Sequence, residues 1–170
     1  MTVNDAIRKR YSCRAYQDKP VEKDKIDSIL EAARLAPSAK NLQDWRFVVI
    51  TEKKMRQEVA DCTNRPEVFS KAGVIIAACS VSDEVMRCGQ AVAQIDVSIA
   101  LEHIALQATE LGLGTCWIGS FDTDKVRSIL GIPDEVQIIE LMTVGYSADE
   151  WKQPKRETIE KIVCYEKWKF

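Results

Sequence analysis

"IDVSIALEHIALQATELGLGTCWIG", residues 95–119, sets the order of elements on which the fold turns. Across residues 90–111 apolar side chains come almost all the way round (Val92, Ile95, Val97, Ile99, Leu101, Ile104, Leu106, Leu111). A helix of that kind must be covered on most sides. In a chain of 170 residues it is expected at the centre, with a subunit interface as one way to cover it. Gly112 then closes the helix as a C-terminal cap, and TCWIG (115–119) reads as a strand. A dinucleotide-binding turn needs the opposite order, strand, glycine turn, helix, so that phosphate meets a helix N-terminus. No GxxxxGK[ST] occurs either. The glycines of this stretch therefore belong to neither a Rossmann turn nor a P-loop.

Working outward, WRFVVI (45–50) and GVIIAAC (73–79) are short, β-branched and aromatic runs, the pattern of two central strands buried on both faces. VQIIELMTVGYS (136–147) supplies a fourth strand. EKDKIDSILEAARLA (22–36) puts Ile26, Ile29, Leu30 and Ala33 on one face, an amphipathic helix that ends at Ala36 before Pro37. DTDKVRSILGIP (122–133) is an N-capped helix stopped by Gly131 and Pro133. A short helical piece precedes the tail IVCYEKWKF (162–170), whose Tyr165, Trp168 and Phe170 predict docking on the chain's own domain or on a partner. Without repeats, low-complexity tracts or linkers, residues 1–170 read as a single domain.

Charged residues make up 29% of the chain, hydrophobic ones 46%, and the net charge is −2, which gives no general attraction to nucleic acid or anionic membranes. The longest apolar stretch, VIIAAC (74–79), is far too short to span a bilayer, and MTVNDAIRKR lacks the apolar run of a secretory signal, so a cytoplasmic location is expected. Six cysteines without a CxxC pair read as reduced packing thiols. A zinc site, a Ser-His-Asp triad or a Cys-His pair would each need His103, the single histidine. It lies with Asp96, Gln107 and Glu110 on one polar stripe, where a structural or interface role is expected and no metal site.

Two features remain. Arg8, Lys9, Arg10 and Arg14 stand near one end of the chain and Lys155 and Arg156 near the other. They form either a solvated basic face or, if the ends converge, a clamp for a phosphate dianion, which guanidinium forks bind well. APSAKNLQDW (36–45) is small and polar on all sides, as befits a segment laid against something flat and polar.

Together, IRKRYSCRAYQDKPV (7–21), AARLAPSAKNLQDWRFVVI (32–50), ALQATELGLGTCWIGSF (105–121) and VGYSADEWKQPKRETIEKIV (144–163) resemble the nitroreductase family of flavin-dependent oxidoreductases in order and spacing. The resemblance covers nearly the whole chain. It implies an α+β nitroreductase-like fold, a central, mostly antiparallel sheet flanked by helices, in an intertwined homodimer with FMN at the subunit interface. It further implies that Arg10, Tyr11, Ser12 and Arg14 reach the cofactor, Arg10 at the phosphate and Arg14 towards the pyrimidine edge of the ring. Lys155 and Arg156 complete the phosphate site in this reading. Pro37, Ser38, Ala39 and Asn41 pack against the flavin of the other subunit, Gly119 and Ser120 face flavin N5, and Asn64 is a further ring contact. Asp44 departs from the family, which usually has proline there to hold Gln43 extended, and Lys40 replaces a small or neutral residue. At this length a long insertion over the flavin is expected to be missing. The implied activity is reduction of nitroaromatic or quinone acceptors by NADH or NADPH through FMN, with the chemistry carried by the flavin. The alternatives are a flavin-binding module without turnover, and a same-fold enzyme of different chemistry, such as reductive dehalogenation or flavin-linked oxidation.

Overall fold

Val74–Ser80 (β2) is buried along its whole length because both its edges and both its faces are covered. In the computed structural model, which describes residues 1–151 and 154–170, it pairs antiparallel with β1 (Trp45–Ile50) on one side and β4 (Gln137–Gly145) on the other. β3 (Gly114–Ile118) pairs antiparallel with β4, giving the order β1-β2-β4-β3. Of the two runs expected as central strands, β2 is central, whereas β1 lies at the sheet edge with Arg46 exposed. The reason is that an apolar run reports covered faces and says nothing about how many neighbours its edges have.

Side chains alternate between the two faces of a strand, and both faces are packed. On one, α2 (Lys23–Arg34) and α5 (Val92–Glu110) bring Ile29, Ala33, Val97, Leu101 and Ile104 against Ile76, Ala78, Met142 and Val144. On the other, α3 (Lys53–Ala60), α4 (Pro66–Phe69) and α6 (Thr123–Leu130) bring Val59, Phe69 and Val126 against Ile75, Ala77 and Leu141. The long helix α5 is central as expected, yet this single chain leaves Ile95 exposed and Ile99 and Leu106 only half-buried. Its end is set by Gly112 at φ +76, where the Gly112 and Leu113 amides donate back to the Thr109 and Ala108 carbonyls at 3.1 and 2.8 Å. That left-handed residue is inexpensive for glycine and turns the chain straight into β3.

Ahead of these elements, α1 (Val3–Lys9) starts in a capping box between Thr2 and Asp5 and stops at Arg10, whose extended backbone begins the segment that crosses the sheet edge. All six cysteines are free thiols, with Cys13, Cys79 and Cys116 buried, and burial pushes the Cys79 thiol up to about 11. No helix among the described residues is long and apolar enough to cross a membrane. The tail does not dock on its own domain: Tyr165, Trp168 and Phe170 are 75%, 82% and 57% exposed, with Trp168 and Phe170 edge-on at 4.8 Å.

Gly145, at the end of β4, sits where backbones touch. A Cβ there would lie 2.8 Å from the Gly73 amide nitrogen and 3.0 Å from Tyr16 Cδ1. Because the obstacle includes backbone, Gly145→Ala is expected to destabilise the fold by roughly 1–3 kcal/mol. Urea unfolding checks this, with a lower midpoint and an unchanged slope as the expected result.

Candidate functional site

The segment after α1 is guided by backbone pairing. Ser12 bridges Thr115 in parallel fashion, and the Cys13 amide donates to the Thr115 carbonyl at 2.8 Å. Further on, the Gln17 amide donates to the Tyr146 carbonyl at 2.9 Å and the Ala148 amide to the Ala15 carbonyl at 2.9 Å. Residues 10–17 thus run along β3 and then along the chain leaving β4. Tyr11 fixes the start by donating its hydroxyl to Ser147 Oγ at 2.6 Å. This routing brings the two chain ends together: Arg10, Tyr11, Ser12, Arg14, Pro154 and Arg156 line one cavity of about 280 Å³. A neighbouring opening of about 420 Å³ is lined by Tyr11, Ser12, Arg14, Asp149 and Glu150. Lys155 is exposed and does not line the cavity; its carbonyl accepts from the Arg156 guanidinium at 3.3 Å.

Three guanidinium groups and a hydroxyl on one small cavity form a donor set suited to a phosphate dianion. Arg10 is held there by Glu102 of α5, whose carboxylate lies 3.1 Å from Arg10 Nε. Burial pushes the Glu102 carboxyl above the usual range, and the Arg10 charge works against that rise. Glu102 escapes sequence reasoning because it sits one residue before His103 and off the polar stripe. Burial raises the Cys116 thiol on β3, and Arg14 and Arg65 both oppose the rise.

Gly119 and Ser120 are exposed where β3 ends, and the 62–64 segment lies alongside them. Thr63 bridges Phe121, and the Asp122 amide donates to the Cys62 carbonyl at 2.9 Å, which places exposed Asn64 next to the same edge. Ser12 is beside Thr115, and Gly119 lies four residues further along an extended chain, roughly 13 Å away. The arginine cavity and the Gly119 edge are thus set apart along the length of β3.

Pro37, Ser38, Ala39 and Asn41 do not line the arginine cavity. Their loop is docked on α5 instead, where buried Asp96 accepts the Ala39 amide at 2.9 Å. Ser38 Oγ accepts the Gln43 amide at 3.0 Å. Lys40, Asn41 and Gln43 all have positive φ (51°, 56° and 56°), a costly backbone for residues with side chains. A proline at 44 would disfavour that conformation at Gln43, so Asp44 is what permits it. Lys40 does not line the arginine cavity and pairs with Glu84.

The sequence profile described as the nitroreductase family matches residues 7–65 and 55–146. The chain belongs to the nitroreductase family. A nitroreductase family protein of Clostridium difficile superposes with a TM-score of 0.88 at 35% identity, over 99% of this chain and 100% of that one. An FMN-dependent nitroreductase of Clostridium difficile R20291 gives a TM-score of 0.83 at 31% identity, over 96% and 98% of the two chains. An NADH dehydrogenase of Thermus thermophilus is 29% identical, with 94% of each chain covered. The α+β sheet described above is the fold of these nitroreductase structures.

Proposed function

We propose that this member of the nitroreductase family is an FMN-dependent oxidoreductase that uses NADH or NADPH to reduce nitroaromatic, quinone or related acceptors in a ping-pong cycle. The observation that carries the reading is the cavity on which Arg10, Ser12, Arg14 and Arg156 meet from both chain ends. FMN, when bound, supplies the two-electron relay between nicotinamide and acceptor through its N5. Arg10, Ser12 and Arg156, with Lys155 alongside, hold the phosphate by charge-assisted hydrogen bonds, and Tyr11, its hydroxyl given to Ser147, fixes the segment that carries Arg10 and Ser12 to the cofactor. Arg14 meets the pyrimidine edge, where a fixed cation stabilises negative charge developing on the ring. Gly119 and Ser120 present backbone amides at the reacting edge, and Asn64 adds a side-chain amide beside it. In this reading the protein is a homodimer, and Pro37, Ser38, Ala39 and Asn41 of a second copy cover the ring. Small side chains there let backbone approach an aromatic face closely. The half-open strip of α5 and the exposed aromatic tail are surfaces that such a second copy would cover.

The test is an anaerobic titration. Purified protein carrying FMN is expected to bleach on adding NADH or NADPH and to regain its absorbance with a nitroaromatic or quinone. A yellow protein that neither nicotinamide bleaches favours a flavin-binding module without turnover. Bleaching without reoxidation by either acceptor points to the same fold running other chemistry.

A further inference from the structure

Among the described residues, two buried side-chain atoms lack a hydrogen-bond partner, Arg56 Nε and Glu140 Oε1. Arg56 has an evident role, since its guanidinium donates to the Ala72 carbonyl. Glu140 does not. It stands on β4 opposite Ala78 of β2, next to Leu141, which pairs with Ile118 at the end of β3. The following β3-side residue is Gly119. A Cβ built on Gly119 would lie 3.3 Å from Glu140 Oε1 and 3.7 Å from Oε2. The carboxyl therefore fills the space that a side chain at position 119 would take. A half-buried carboxyl in mid-sheet without a cation is costly to keep, so its presence calls for a reason.

We propose that Glu140 is a positioning residue for the flavin's reacting edge, its carboxyl propping the Gly119–Ser120 backbone from the position a residue-119 side chain would occupy. This rests on the FMN reading above, in which those two amides meet the ring. Glu140 acts through Gly119 and does not touch the cofactor. Burial alone pushes its carboxyl above the usual range. No charged neighbour among the described residues contributes to that rise. Cys79 on β2 and Cys116 on β3 are buried thiols whose pKa burial raises. On α5, Asp96 is bonded to Ala39, Glu102 to Arg10, His103 to the Ala32 carbonyl and Glu110 to the N-terminus. Of the cations near β3, Arg14 and Arg65 bear on Cys116. Glu140 thus keeps its proton to a higher pH than an exposed glutamate, and the backbone it props has no anion behind it. Once ionised, it places a negative charge behind the reacting edge and makes electron uptake there less favourable.

The experiment compares FMN-loaded wild-type protein with Glu140→Gln, measuring the reduction potential of bound FMN from acid to alkaline pH. The two curves are expected to coincide at acid pH, where both side chains are neutral, and to separate as pH rises, the wild type falling below the variant. Glu140→Met, uncharged and of similar length, carries the same comparison if the glutamine variant does not fold. Coincident curves over the whole range overturn the role of Glu140 while leaving the FMN reading intact. Failure of the wild-type protein to bind FMN overturns that reading, and this proposal with it.

Discussion

Replacing Arg10 and Arg156 together with alanine is expected to lower the affinity for FMN by roughly 10²- to 10⁴-fold, since hydrogen bonds to charged groups are worth about 1.5–3 kcal/mol each. Riboflavin, which lacks the phosphate, is expected to bind the double variant and the wild type alike. The contrast isolates the phosphate contribution from any change at the ring. One complication is built into the site: removing Arg10 strands the partly buried carboxylate of Glu102, to which it is paired at 3.1 Å. Among the described residues Arg156 makes no such pair, its guanidinium bonding the neighbouring Lys155 carbonyl. Arg156→Ala alone is therefore the cleaner measure of one phosphate contact, with an expected loss of roughly 10- to 100-fold. Flavin fluorescence titration of FMN and riboflavin against each variant supplies the numbers.

Leu101→Ala is expected to cost roughly 2–5 kcal/mol of stability, the range for deleting most of a fully buried leucine. Leu101 is completely inaccessible in the middle of α5, packed with Ile29, Val97 and Ile104 in the layer between that helix and the sheet. The surrounding elements are pinned by the four-stranded sheet, so the cavity cannot easily collapse, and the cost should fall in the upper part of that range. Chemical denaturation of the purified protein checks it, and a loss comparable to that of an exposed site would show that α5 is not the packing centre.

The order of elements around α5 was legible because it depends on local signals: an apolar surface too broad to leave uncovered, then a glycine whose positive φ ends the helix. The same local signals could not order the strands. WRFVVI reads as fully buried, yet β1 is an edge strand, because strand neighbours come from pairings far apart in sequence. α3 and α4, of eight and four residues, carry too little periodic signal to be read locally. At the site, Arg10, Ser12, Arg14 and Arg156 could be named from their resemblance to a known pattern, and the fold brings all four onto one cavity. Glu102, Asp96 and Glu140 could not be given their parts from sequence. Each acts on a segment distant in the chain, on Arg10, on Ala39 and beside Gly119, and only the tertiary structure supplies that adjacency. Lys40 and Asp44 belong to a loop whose backbone turns left-handed at three residues, and the Lys40 side chain pairs with Glu84.

The central claim is that one FMN is held by the arginine cavity of one chain and the 37–41 loop of another. It is tested by co-expressing two differently tagged chains, one carrying Arg10→Ala with Arg156→Ala and the other Asn41→Trp, and isolating the heterodimer by tandem affinity. Each homodimer is expected to lose FMN. In a shared site, the heterodimer has one position carrying both lesions and one carrying neither, so FMN binding returns at half the sites. If each chain builds its own site, every site in the heterodimer carries a lesion, and no recovery of FMN would contradict the account.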